Sequence, residues 1–431
     1  MTIPSQTASP EQTSLAAAAI LEECRLIASM SEEPGRITRR FLTPPVSQVY
    51  ARLRSQMLEV GMTVSVDSAG NLRGLWQPKG AGPRRMVLGS HIDTVPDAGA
   101  YDGVLGVVMA IELARQAVAN SLPLAIEIIA FSEEEGVRFG VPFLGSRAVA
   151  GRFDPALLAL RDAEGVSLNQ AILDFGLDPG GLPQAQIGED TIGFLEIHIE
   201  QGPVLEAENL SLGVVTGIVG QTRCELQFLG HANHAGTTPM TLRHDALAAA
   251  AEWICAVEEI ARRPVLNPPL LGDHAEAALV ATVGKVATHP NAANVIPGAV
   301  HVSLDVRAAH DAVREEAVAE LLEKASSIAM RRGIECESKR LMDQPAVPMD
   351  EQLTAVLAEC VEAAGLPVRR MPSGAGHDAM VLGTRLPAAM LFLQSPGGVS
   401  HHPNESVRPH DIDTALTVGS LFLRRLALKI V

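Results

Sequence analysis

Aromatic residues are scarce in this 431-residue chain: Phe, Tyr and Trp together make up 3% of it. With an apolar content of 47%, the core must be assembled from Leu, Val, Ile and Ala. Positive charge is also short, 34 Lys and Arg against 50 Asp and Glu, for a formal net charge of −16. Phosphate backbones and anionic membrane surfaces attract basic faces, so neither a nucleic acid nor a membrane is an expected partner. Only five cysteines occur, widely spaced and with no C-x-x-C among them. That excludes a disulfide framework and a thiolate metal site, and it points to a reducing compartment. No apolar run approaches the roughly 20 residues that span a bilayer, and the first residues, MTIPSQTASPEQTS, lack the basic n-region of a signal peptide. These absences together predict a cytoplasmic protein.

The length exceeds that of one ordinary compact domain, and two are expected. Ser9-Pro10-Glu11-Gln12 fits a capping box ahead of the helical run LAAAAILEECRLIASM, and a second helix ends at Gly61. A strand pair turns at Ala69-Gly70-Asn71. The short buried strand RRMVLGS, the apolar helix GVLGVVMAIELARQAVANS and the strand LPLAIEIIAFS follow. Continuous apolar strands alternating with helices signal a parallel or mixed sheet covered on both faces, with ligands at the carboxyl ends of its strands. From about Thr216 the order becomes β-α-β-β-α-β, the split ferredoxin-like unit. After it DEQLTAVLAECVEAAG (helix) and PAAMLFLQ (strand) return to the first style. The expected organisation is an α/β, mixed-sheet domain in two parts, 1–216 and 343–431, with an inserted domain at 217–342.

Candidate chemistry clusters at strand ends. In GSHIDTVPDAGAYDGVLG, His91 and Asp93 are two apart and project to one side of an extended segment. FSEEEG places Glu133, Glu134 and Glu135 directly after a buried strand. His198 lies within the apolar stretch GFLEIHIE, and SHHPNES supplies His401 and His402. Each taken alone fits a polar loop or a core histidine. As a set, His91, Asp102, Glu134, Glu135, His198 and His401 are oxygen and nitrogen donors without sulfur, suited to paired divalent metals. A glutamate left free beside them would take a proton from water.

Seven segments, in order from Gly89 to Glu405, resemble the M20 metallohydrolases, and within them the amidase/carbamoylase branch: GSHIDTVPDAGAYDGVLG, FSEEEGVRFGVPFLGSRAVAG, EIHIEQGPVLE, GHANHAGTTPM, NVIPG…DVR, SGAGHDA and VSHHPNE. The resemblance implies a catalytic domain with an inserted ferredoxin-like dimerisation and lid domain, and two divalent ions (Zn, Mn, Co or Ni) per subunit. It implies that Asp102 bridges them and that His91, His198 and His401 complete the ligand sets. Glu135 would bind on the His91 or the His401 side. Glu134 matches the general base and Asp93 the carboxylate behind His91, and Glu133, without a role, is expected to be solvated. Arg307 and Asn294 resemble a clamp on a substrate carboxylate, with Gln201, His377 and His234 as further substrate contacts. His234 would serve the neighbouring subunit of a homodimer. The implied activity is hydrolysis of the carbamoyl C–N bond of a small anionic ureido compound. Allantoate is the leading substrate, N-carbamoyl-L-amino acids the alternative, and an aminopeptidase or dipeptidase a more distant one.

Overall fold

The structure, a computed structural model, describes residues 14–80, 82–263 and 279–430. The capping box at Ser9–Gln12 lies outside the described residues; the first helix, Leu15–Ala28, is capped by Ser14, whose hydroxyl accepts from the Ala17 amide. Among the described residues no helix is long and apolar enough to cross a membrane. The chain divides into two compact units. One comprises the chain up to Thr216, Met349–Arg370 and the part from His377 onward; the other comprises Gly217–Pro348 and Met371–Gly376. The second unit passes the boundary expected at 342 because its last long strand, Glu335–Gln344, resumes pairing after a shift between Arg340 and Met342 and continues to the Gln344–Gln221 pair.

In the first unit the sheet runs in the order Thr63–Val66, Leu72–Trp76, Ala125–Phe131, Arg85–His91, Thr191–Ile199, Ala388–Leu393, Leu212–Ile218. The four strands from Ala125–Phe131 to Ala388–Leu393 are mutually parallel, and their flanking neighbours are antiparallel, so the sheet is mixed as expected. Ala125–Phe131 and Ala388–Leu393 are buried at every position, the signature of strands covered on both faces. The helices Leu15–Ala28, Val104–Ala119, Glu351–Ala363 and Pro409–Ile430 pack on one another beside that sheet. Val104–Ala119 approaches most closely through Gly106, where a Cβ would stand 2.2 Å from the carbonyl oxygen of Ile197. Because the four strands are parallel and in register (His91 opposite Phe131, His198 opposite Phe392), their carboxyl ends share one edge. The segments that follow them are thereby gathered at a single place.

The second unit holds an antiparallel sheet in the order Val286–His289, Ala299–Ala308, Gly220–Leu229, Glu335–Gln344, with Val280–Thr282 pairing the far half of Ala299–Ala308. Gly220–Leu229 alternates buried and more open positions, so one face of the sheet is core. The helices Ala246–Ala261 and Asp311–Arg331 cover that face around Phe228, Trp253 and Leu321. Asp245 caps the first of them, accepting from the Ala248 amide at 3.0 Å.

Candidate metal centre

His91 is the last residue of its strand, and its Nδ1 lies 3.0 Å from the carbonyl oxygen of Asp93. A carbonyl oxygen only accepts, so Nδ1 donates and the lone pair is left on Nε2. His198 is fixed in the same way by the carbonyl of Ile199, at 2.9 Å. Both Nε2 atoms face one oxygen of Asp102: Oδ1 is 3.4 Å from His91 and 3.2 Å from His198. Lone pairs directed at an anionic oxygen repel it unless a proton or a metal cation stands between them. The other oxygen, Oδ2, is 3.2 Å from Nε2 of His401, which is itself 3.4 Å from Glu135 Oε1. Asp102 therefore belongs to two groups of three donors, His91–Asp102–His198 and Asp102–Glu135–His401, with donor atoms within 4.8 Å of one another in each. Glu135 faces the His401 side through its carboxylate, and a third group joins it to His91 and Glu134.

The charges demand a counterion. Carboxylates gathered out of water are costly without positive charge beside them, and Asp102 and Glu134 are both buried. Burial pushes the Asp102 carboxyl up, but the imidazoles of His198, His401 and His91 hold it well below the usual range. Burial pulls His91 down, yet Glu134, Asp102 and Asp93 raise it well above an ordinary histidine. His401 is pushed up to about 10 by Asp102 and Glu135. Each of these groups is asking for positive charge, and nitrogen and oxygen donors in this arrangement fit a divalent metal. Gly103 makes room for the His91 ring: at φ +66°, a Cβ there would lie 2.5 Å from it.

The three adjacent glutamates are separated by their backbone. Asp93 accepts the amides of Glu134 (3.1 Å) and Glu135 (3.0 Å) on its two oxygens. Its carboxylate is thus committed to the glutamate turn, and it is the Asp93 carbonyl that holds His91. Glu133 adopts φ +51° and turns away from its neighbours. The expectation that Glu133 is solvated is wrong: it is 0% exposed, and its Oε1 accepts from the amides of Arg138 and Phe139. Those amides would otherwise be buried without partners. Burial, then Asp93, pushes the Glu133 carboxyl up to about 8. Glu134 is raised well above the carboxylate range by burial; His91 opposes the shift, and Glu135, Asp378 and Asp93 add to it.

Residues 87–425 match the model of peptidase family M20/M25/M40. The chain belongs to that family. Over 412 residues it is 37% identical to a probable allantoate deiminase of Oryza sativa subsp. japonica, covering 90% of this chain and 84% of the relative. Over 376 residues it is 38% identical to an N-carbamoyl-L-amino acid amidohydrolase of Geobacillus stearothermophilus, covering 86% and 88%. The crystal structure of a hydantoinase/carbamoylase family amidase from Burkholderia multivorans superposes with a TM-score of 0.87 at 31% identity, covering 95% of this chain and 98% of that one. This M20 chain is a metal-dependent amidohydrolase.

The M20 chain distributes the expected substrate residues over both units. In the first, Gln201 donates to Asp102 Oδ2 at 2.8 Å and adopts φ +58°, and so touches the metal centre directly. His377 is buried with its ring 4.4 Å from that of His198. Burial, then His198, holds His377 well below an ordinary histidine, so its ring is neutral. In the second unit, His234 and Asn294 come together. His234 pairs with Val295, and the Asn294 carbonyl accepts the Ala235 amide at 2.9 Å. Arg307 is oriented by Asp305, through Nε at 2.9 Å and Nη2 at 3.2 Å, and its Nη1 donates to the Gly374 carbonyl.

Sequence reasoning missed Glu196, Ser400 and Glu405. Glu196 is fully buried behind His198 and accepts from Ser90 Oγ and the Ala379 amide, both at 2.9 Å. A signal existed: Glu196 and His198 fall at alternate positions of one strand and so on one face. Ser400 and Glu405 carried no such signal.

Proposed function

We propose that this chain hydrolyses the carbamoyl C–N bond of linear ureido acids, with allantoate the leading substrate, using two divalent ions. The observation that supports this most is Asp102, whose two oxygens face two separate donor groups with the buried Glu134 alongside. Ions held by His91, Asp102, His198, Glu135 and His401 would supply Lewis acidity to the carbamoyl oxygen and make water easier to deprotonate. Glu134 takes the proton of the attacking water on its carboxylate and returns it to the leaving nitrogen as the C–N bond breaks. Asp93 holds Glu134 in place through its amide. The carbamate released decomposes to ammonia and CO₂. Arg307 and Asn294 read the substrate's carboxylate, Arg307 as a planar fork already oriented by Asp305. Gln201, His377 and His234 complete the substrate contacts.

The relative acting on N-carbamoyl-L-amino acids, at 38% identity, supports a second reading in which these are the substrates. Ammonia release from allantoate, N-carbamoyl-L- and D-amino acids, N-carbamoyl-β-alanine, ureidoglycolate and a dipeptide separates the readings. Allantoate is expected to have the highest kcat/KM, and a chelator is expected to abolish turnover until Mn²⁺, Co²⁺, Ni²⁺ or Zn²⁺ is restored. Turnover of the dipeptide alone would refute the ureido reading, and full activity without metal would refute the metal reading.

The same reading makes the protein a homodimer joined through its second unit, with His234 serving the partner. His234 is exposed, as are Met240 and Leu242 just beyond it, and among the described residues Val286–His289 is an edge strand. Sedimentation is expected to give twice the mass of one chain; a monomer with full activity would remove this part of the proposal.

A further inference from the structure

The two donor groups are not held with equal firmness. His91 and His198 lie on sheet strands, and their side chains are 2% and 1% exposed. His401 lies in the long connection between Ala388–Leu393 and Pro409–Ile430, where a short 3-10 turn at Pro396–Gly398 is the one regular element. Its side chain is 48% exposed and its φ is +54°. A ligand on such a segment needs an anchor to keep its nitrogen beside Asp102.

Glu405 is buried and has no part in the chemistry proposed above. Its Oε1 accepts the amides of Tyr101 (2.8 Å) and Asp102 (2.9 Å). Its Oε2 is 3.3 Å from Ser400 Oγ, which is 2.9 Å from Asp102 Oδ2. One carboxylate thus ties the segment that carries Asp102 to the segment that carries His401, with Glu405 and Asp102 303 positions apart along the chain. The fit is close: a Cβ on Gly99 would lie 2.3 Å from the Glu405 side chain. Asp93 anchors the Glu135 amide on the other side of the group, so Glu135 does not depend on Glu405.

We propose that Glu405 is the positioning residue for the His401-side metal, holding the bridging Asp102 and the His401 segment in one geometry, while the His91–His198 side, whose two histidines lie on sheet strands, depends on it less. The inference rests on the two-ion reading above. Metal-free protein is titrated with Mn²⁺ by equilibrium dialysis. Wild type is expected to bind two ions. Glu405→Asp, whose carboxyl is withdrawn by one methylene, is expected to bind one ion roughly tenfold or more weakly and the other with much less loss. Adding His401→Ala to Glu405→Asp should then cost no more than His401→Ala alone, which places the weakened ion. Glu405→Gln is expected to restore binding, since its amide oxygen accepts both backbone amides and its NH₂ donates to Ser400. Two ions bound as in wild type, or both weakened equally, would overturn the proposal.

A second readout needs no metal. Hydrogen exchange of metal-free Glu405→Asp is expected to run roughly tenfold faster at the Tyr101 and Asp102 amides, while the Glu134 and Glu135 amides, held by Asp93, keep the wild-type rate. Unchanged exchange at Tyr101 and Asp102 overturns the anchoring role. A wild type that binds a single ion would refute the two-ion reading, and the exchange result would still decide for or against Glu405.

Discussion

Glu134→Gln is expected to bind metal as the wild type does and to lose roughly 10²–10⁴-fold in kcat, the usual contribution of a positioned general base. The frame of the residue is independent of its carboxylate. The Glu134 amide is held by Asp93, and its carbonyl accepts from Phe143 at 3.2 Å. Gln is isosteric, so these contacts persist while the proton acceptor is removed. Glu134 also lies outside both donor groups built on Asp102. Metal analysis beside steady-state kinetics separates the outcomes. Full turnover would remove Glu134 as the base, and a lost ion would make it a ligand.

The pH dependence follows with a definite sign. The base must be ionised to accept a proton, so activity falls as pH drops through its folded-state pKa. In the metal-free site burial and the surrounding carboxylates raise that pKa, so the acid limb of kcat/KM should lie highest where metal occupancy is lowest. A bound cation opposes the shift and moves the limb back down. Holding more metal in the assay should therefore extend activity to lower pH.

Much of this centre was legible because its chemistry interrupts strong patterns. A histidine in the apolar run GFLEIHIE and three glutamates after LAIEIIA break strands whose burial is otherwise continuous. The parallel strands could be read from that continuity. What was not legible is pairing at a distance. Ala125–Phe131 lies between Leu72–Trp76 and Arg85–His91, an order no local pattern encodes. Glu133 resembled a solvated charge because its burial depends on a single positive φ and two amides five and six residues ahead. The assignment of Glu135 was open in the sequence; the position of His401 across Asp102 decides its carboxylate's contact. Glu405 bonds to amides some three hundred residues away, and the sequence near it says nothing of them.

Asp102→Asn is expected to have the largest effect of any single change at this centre. The carboxylate presents an acceptor to each donor group, Oδ1 to His91 and His198, Oδ2 to Glu135 and His401. An amide has one acceptor oxygen and one NH₂, so whichever way it turns, one group receives donor hydrogens where a cation belongs. Gln201 and Ser400 bias the choice. Both donate to Oδ2, at 2.8 and 2.9 Å, which favours the amide oxygen there and directs the NH₂ at His91 and His198. The substitution also removes the negative charge that the three imidazoles share. Loss of an outer contact to a ligand typically weakens metal binding 10–100-fold, and loss of the ligand shared in the two-ion reading proposed above should exceed that. Asp102→Asn is therefore expected to lose the His91–His198 ion, with affinity down by more than about 10²-fold, and to fall to background turnover. Metal content after dialysis checks the first and ammonia release the second. A variant that keeps two ions and measurable activity would show that Asp102 does not bridge them.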